Sequence, residues 1–506
     1  MHTIVETRQG PIQGCAEDGI GRFFGIPYAA PPVGALRWRP PDPAPGWTRV
    51  RQATEFGPIC PQTAGAVFTP RASRQDEDCL YLNVWTATVD PQAKQPVMVW
   101  IHGGGYLGGG GCEDGTDGSA LAGLGVTVVS FNYRLGAFGY LAHPDFGSNF
   151  GLQDQIAALQ WVQQHITQFG GDPERVTVFG QSAGAHSVRT LLSSPSAAGL
   201  FHRAILQSGG GERFTFDAKQ PGERTYAASQ AFIAHLGGGG PQQLRQIPTE
   251  MVKQASHLFS GVIPKRGRVH TPANLAWMPV TDGDIVPADA GTRPPAPVPL
   301  LLGYTHNEAR YFIKPGMLPY NRLLLWVLTK ALAGPQARAV RSELATSAGS
   351  LYDRFDRAYT AAVFAEPLLA TTERLLSSGH EFYCYRFDRV SPGAEKSDVR
   401  VQHTAELRYL FGTLTTDGYD DVDQQVSARI QAHWVAFARD GAPTADRSWP
   451  RYDDLARIAV IADTPGQGRI DDDPIAALIH LRRTRGPGVR SGRKFPSRPA
   501  SGREKL

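Results

Sequence analysis

The stretch VTVFGQSAGAH, residues 176–186, contains the pentapeptide Gly180-Gln181-Ser182-Ala183-Gly184. VTVF has the composition of a buried strand, and Val188, Leu191 and Leu192 after the glycines recur at helical spacing. Glycines flanking a serine suit a sharp strand-to-helix turn, where side chains would collide and the serine is pushed outward. That turn also places Ser182 at a helix N-terminus, where free amides and the helix dipole favour negative charge. G-x-S-x-G is short enough to arise by chance in a glycine-rich chain, and a structural serine in a tight turn is the alternative. The strand before it and the helix after it favour a nucleophile.

Working outward, VMVWI (97–101), VTVVSFNY (126–133), AILQ (204–207), LLLG (300–303) and EFYCYRF (381–387) are continuous apolar runs. Such runs fit strands buried on both faces, as in a parallel sheet covered by helices. Leu152, Ile156, Leu159, Val162, Ile166 and Phe169 step by three and four, which puts them on one helical face. Gly170-Gly171 and then Asp172-Pro173 end that helix. The expected fold is therefore α/β, with a large, mostly parallel central sheet flanked by helices. Segments 209–277 and 311–379 read as helical insertions over the sheet, NRLLLWVLTKALAG being the clearest. Residues 1–480 are expected to form a single catalytic domain, with 481–506 as a tail.

The 506 residues are 41% apolar, ample for a large core, and carry a formal charge of +4. The charge is uneven: residues 481–506 hold nine Lys/Arg against one acid, Glu504, so the tail carries +8 and the rest −4. Having almost nothing apolar to bury, the tail reads as disordered, either a solvated extension or a weak anchor for anionic surfaces. The mildly acidic body argues against a nucleic-acid partner. No apolar run approaches the roughly 18 residues of a membrane span. MHTIVETRQGPIQG lacks the basic and apolar regions of a secretory leader, so the expected location is cytoplasmic, unless a leader has been trimmed from this sequence. Five cysteines without zinc spacing imply neither a disulfide scaffold nor a metal site.

A serine nucleophile needs a base, a group that orients the base, and donors for an oxyanion. WIHGGGYLGGGG (100–111) follows the strand VMVWI, and its glycines leave backbone N–H groups unshielded. An H-G-G-G run after an early strand builds half an oxyanion hole, and the amide after the nucleophile, Ala183, supplies the rest. No Walker lysine or dinucleotide fingerprint accompanies these glycines, so a nucleotide site is not expected. Chain order in this architecture places an acid and then a histidine after the serine. Glu308, just past the strand LLLG, competes with Asp282 and Asp284, which also read as turn residues. Fourteen histidines leave the base open. His306 is too near Glu308 in sequence, His433 lies in a helical pattern, and His403 follows EFYCYRF.

Together these segments resemble the type-B carboxylesterases, the cholinesterase-like branch of the α/β-hydrolases. The resemblance runs from about residue 4 to 453, through FFGIPYAAPPVGALRWRPP, EDCLYLNVW, FNYRLGAFGYLA, NFGLQDQIAALQWVQQHITQFGGDPERVTVFGQSAG, FHRAILQSG, MPVTDGDIVP, GYTHNEA, HTAELRYLFG and FARDGAP. It implies a serine carboxylesterase acting on small-molecule esters, with Ser182 as nucleophile, His403 as base and Glu308 as its orienting acid. It further implies oxyanion donors at Gly104, Gly105 and Ala183, and no metal or organic cofactor. Cys60 and Cys79 match the family's first disulfide position, and proximity is expected of them; Cys15, Cys112 and Cys384 are expected to be buried thiols. The chain departs from the family in having Gln181 where Glu is common and Thr404 where Gly is common. AVFTPRASRQ (66–75) has no tryptophan where cholinesterases stack a cation. Losing a carboxylate and an aromatic face disfavours choline-like cations, so neutral esters are the expected substrates. An amidase, thioesterase or lactonase on the same scaffold, and a non-catalytic adhesion protein of the same fold, are the alternatives.

Overall fold

A computed structural model describes residues 2–485 except 64–69, 73, 212–221, 262–274, 292, 317–320, 348, 445–447, 454–456 and 470–472. Most of the tail and part of the first expected insertion lie outside the described residues.

The expected apolar runs form the centre of one sheet. β1 (His2–Thr7), β2 (Gly10–Glu17), β3 (Ile20–Pro27), β5 (Tyr81–Thr86) and β7 (Thr127–Phe131) make an antiparallel limb, with the short β4 (Arg51–Gln52) beside β2. From β7 the sheet continues in parallel through β6 (Gln95–Ile101), β8 (Gly171–Gln181), β9 (Arg203–Gln207), β10 (Leu300–Thr305), β11 (Phe382–Phe387) and β12 (Arg457–Ile461). β13 (Gly466–Arg469) closes that edge antiparallel.

The continuous hydrophobicity of the central strands has a direct cause. On β6, Val97, Val99 and Ile101 enter one core while Met98 and Trp100 enter a second on the opposite face. Each such fully buried side chain contributes about 1.5–3 kcal/mol relative to exposure. Helix α1 (Phe150–His165) covers the first face with Leu152, Ile156, Leu159 and Val162. A 3₁₀ turn, Ile166–Phe169, extends it to Gly170, whose φ of 77° ends it as the sequence implied. α2 (Ala183–Leu191) follows β8 on the same side.

The second insertion is helical. A helix at Arg322–Ala333 is capped by the Asn321 side chain, which accepts from the Leu324 amide. Further on, α3 (Leu351–Thr360) runs through one turn of π-helix, Ala361–Ala365, into α4 (Glu366–Ser377). On the opposite face of the sheet, α5 (Asp421–Asp440) buries Val426, Ile430 and Trp434 against Trp100 and Phe179. Finally α6 (Pro474–Arg485) packs on the π turn and α4, and its His480 bridges Glu366 at 3.2 Å and Glu373 at 3.0 Å. This helix runs on from the expected domain, 1–480, into the first residues of the expected tail, 481–506.

Cys60 and Cys79 are buried free thiols, and Cys60 is near enough to push the Cys79 thiol up, in line with the expected proximity. Cys112 and Cys384 are buried, but Cys15 is only half-buried. It lies on β2 between Gly14 and Ala16 and so points away from the face that buries Ile12 and Gly14.

Candidate active site

Five loops meet beyond the C-terminal ends of the parallel strands, the usual location for sites in such sheets. The β8–α2 turn presents Ser182 with φ 56° and ψ −122°, a left-handed conformation that side chains rarely adopt. The Ser182 amide donates to the Gln207 carbonyl at 2.9 Å, which ties the turn to the end of β9. Both motif glycines are sterically required. A Cβ at Gly184 would stand 2.0 Å from the Ile101 carbonyl oxygen, and one at Gly180 would stand 2.6 Å from the Gly184 carbonyl carbon. Helix and strand pack this closely only without those side chains, and Ser182 remains half-exposed.

The loop after β6 brings His102–Gly105 against this turn. A Cβ at Gly103 would lie 3.2 Å from Ser182 Cβ. Gly104 has φ 100° and Gly105 φ 63°, and a Cβ on Gly104 would sit 2.0 Å from the Gly108 carbonyl oxygen. Among the described residues, neither the Gly104 nor the Gly105 amide has a hydrogen-bond partner in the protein. His102 itself is buried and stacked on Tyr133 at 4.3 Å, and burial pushes its imidazole down to about 4. It therefore stays neutral at pH 7.

Glu308 and His403, 95 residues apart, are in contact: Glu308 Oε2 lies 2.5 Å from His403 Nδ1. Glu308 is fully buried, and its Oε1 accepts from the Thr305 amide at 2.8 Å, which fixes it to the end of β10. Two residues on, the buried Arg310 guanidinium binds Asp356 at 3.1 Å, Asp398 at 2.8 Å and also Asp353. The Gln181 side-chain nitrogen lies against the His403 ring, 3.1 Å from Nε2 and 3.4 Å from Nδ1. Phe312, Phe364 and Tyr311 surround the imidazole, with ring centroids at 5.0, 5.3 and 5.7 Å. Phe364 stands on the π turn, an interruption often found at functional sites. Thr404 adopts φ 75°, which glycine would tolerate without strain.

The competing candidates are placed elsewhere in structural roles. Asp282 accepts from Ser148, Asn149 and the Val286 amide, as a turn residue does, and Asp284 is exposed. His306 pairs with Asp388 at 3.3 Å, and His433 bonds the Pro443 carbonyl at 3.0 Å.

Two groups near His403 escaped the sequence reading. His186, on α2, accepts from the Gly210 amide at 2.9 Å; burial first, and then His403, pushes its imidazole down to about 3. Glu406 is fully buried three residues after His403, and burial followed by the charge of Glu308 pushes its carboxyl up to about 8. Among the described residues no set of three or more His, Cys, Asp or Glu is arranged to hold a metal ion.

The model of the carboxylesterase family matches residues 1–467. A para-nitrobenzyl esterase from Bacillus subtilis (strain 168) is 36% identical over 502 residues, covering 94% of this chain and 97% of that protein. A phenmedipham hydrolase from Pseudarthrobacter oxydans is 35% identical, covering 90% and 94% respectively. Among solved structures, a PNB esterase superposes with a TM-score of 0.80 at 33% identity, over 95% of this chain and 100% of that one. A Geobacillus stearothermophilus carboxylesterase superposes with a TM-score of 0.78 at 32% identity, over 94% and 99%.

Proposed function

This chain belongs to the carboxylesterase family and hydrolyses carboxylic esters on an α/β-hydrolase fold, and we propose that Ser182, His403 and Glu308 do so by two-step acyl transfer. The observation that carries the assignment is a positive-φ Ser182 turn whose neighbour Gln181 touches His403, itself paired with the buried Glu308, beyond the C-terminal ends of the parallel strands. Ser182 Oγ attacks the ester carbonyl while His403 Nε2 takes its proton. Glu308 holds the Nδ1 proton, which fixes the tautomer and stabilises the imidazolium as it forms. The amides of Gly104, Gly105 and Ala183 receive the oxyanion, each such donor being worth about 2.7–4 kcal/mol in comparable sites. His403 then protonates the leaving alcohol. In the second half, water loses a proton to His403 and releases the acid from Ser182.

The substrates proposed are neutral small-molecule esters. Phe312, Phe364 and Tyr311 present apolar ring faces around the base, and position 181 beside the nucleophile carries no charge. The test is Ser182→Ala assayed with a p-nitrophenyl ester. Turnover falls by at least about a thousandfold, as expected for loss of a nucleophile, with the unfolding midpoint unchanged. Turnover within tenfold of the parent would remove Ser182 from the mechanism.

A further inference from the structure

The helix Arg322–Ala333 of the second insertion buries Leu325, Thr329 and Ala333 and turns a second apolar face outward. Leu323, Trp326 and Val327, three and four residues apart on that face, are 70%, 44% and 48% exposed. Lys330 continues the face, its Nζ 4.9 Å from the Trp326 ring centroid. An exposed apolar helix face that carries a tryptophan and is edged by Lys and Arg has the composition of a helix lying in a lipid interface. From residue 321 to 342 the chain carries Arg322, Lys330, Arg338 and Arg341 and no acid.

α6 packs against this helix and against the next, Ala337–Ser347. Twelve residues of helix span about 18 Å, so α6 ends at Arg485 within that distance of its contact with the exposed helix. Residues 486–506 add six Lys/Arg against one acid, Glu504, on a length of chain that can extend to about 70 Å.

We propose that this face docks the protein on an anionic lipid surface. Leu323, Trp326 and Val327 enter the headgroup region, and the basic residues beside them and in 486–506 lie against the lipid phosphates. Each signal alone is weak: three side chains bury little apolar area, and basic residues act only within a Debye length of the surface. An apolar patch joined to a polybasic segment supplies the two signals that stable anchoring takes.

A second copy of the chain is a poorer occupant. A twofold interface would set Arg322 and Lys330 against their own copies, and residues 321–342 supply no acid between them. Three side chains also offer well under the ~800 Å² per partner of a stable interface. The basic segment 486–506 is repelled by the same charges. The helix begins ten residues after Phe312, whose ring lies 5.0 Å from that of His403. If the substrates are the neutral esters proposed above, docking brings the site to the bilayer into which such esters partition; the docking itself does not depend on that reading.

The experiment is co-sedimentation of the full chain with vesicles of equal parts phosphatidylcholine and phosphatidylserine, and with vesicles of phosphatidylcholine alone. The mixed vesicles bind at least about tenfold more protein, and added salt reverses the difference. The double variant Leu323→Ser, Trp326→Ser and a chain ending at Arg485 each lose at least about tenfold in partition. Both variants hydrolyse a soluble p-nitrophenyl ester at the parent's rate, which shows the fold intact. Partition within twofold of the parent in either variant overturns the proposal, and so does equal binding to the two kinds of vesicle. A concentration-dependent dimer that the double variant abolishes would assign the face to a second copy and overturn it too. Vesicle binding is read without turnover, so its failure is distinct from failure of the mechanism, which would appear as undiminished turnover in Ser182→Ala.

Discussion

Replacing Glu406 by glutamine should make the protein less sensitive to alkali, by an amount the structure supplies. The carboxyl is fully buried; Oε1 has a long 3.4 Å contact from Gln207, and Oε2 has no hydrogen-bond partner among the described residues. Burial and the neighbouring Glu308 charge carry its pKa from 4.5 up to about 8. An unfolded chain releases this proton near pH 4.5, whereas the folded chain keeps it until about pH 8. Across that window the folded state binds more protons, so stability is fully present below the window and is lost as pH rises through it. At about 1.4 kcal/mol per pH unit the whole interval sets a ceiling of about 5 kcal/mol, of which the part between pH 5 and pH 8 is about 4 kcal/mol. Glutamine does not titrate. Chemical unfolding at intervals between pH 5 and pH 9 should therefore show the stability of Glu406→Gln minus that of the parent growing by up to about 4 kcal/mol. Any hydrogen bond altered by the substitution adds a constant, so the slope of the difference is the readout. A difference that stays flat from pH 5 to 9 would refute the reasoning, because Glu406 would then titrate as an ordinary carboxyl.

Arg310→Met removes the charge that binds Asp353, Asp356 and Asp398 and leaves the buried Asp356 without its cation. Unfolding should become easier by about 3–5 kcal/mol, and kcat/KM should fall in the surviving folded protein because Glu308 lies two residues away; equal stability and equal turnover would count against both. Choline esters should be poorer substrates than uncharged aryl esters of the same acyl length, since neither a carboxylate at 181 nor a tryptophan within 66–75 is present to attract the cation; a choline preference measured as kcat/KM would contradict the proposed pocket.

The parts of the fold that were legible in the sequence are those where burial on two faces leaves no alternative. Val97–Ile101 of β6 and Val176–Phe179 of β8 are unbroken buried runs because helices cover both sides, and α1 repeats its apolar residues because one stripe faces the sheet. β1 to β3 at the other edge gave no such signal: Ile4 is 52% exposed beside the buried Val5, so their pattern is weak and short. β12 and β13 were missed for the same reason, being a short edge pair. Ser182 was readable because its constraint is local, two glycines against the backbone of β6. Glu308 and His403 were not readable from spacing, since 95 residues of chain separate them; only the resemblance singled them out. The Gln181–His403 contact spans 222 residues, and no local pattern encodes it. Glu406 looked like the opening of a short helix, and only its burial next to Glu308 makes it unusual.

The bridge from His480 ties the C-terminal helix to the π turn beside His403. His480 holds Glu366, Glu366 begins α4 directly after the π turn, and that turn carries Phe364 onto the ring of His403. His480, Glu366 and Phe364 thus link the C-terminal helix to His403. A protein cut at residue 481 would lose the final turn of α6, and the slackening would reach the aromatic wall around His403. A protein cut after Arg485 would shed six basic residues, two Lys and four Arg, yet leave that wall braced. Surface charge can therefore be altered beyond residue 485, while the preceding helix braces the residues packed around His403.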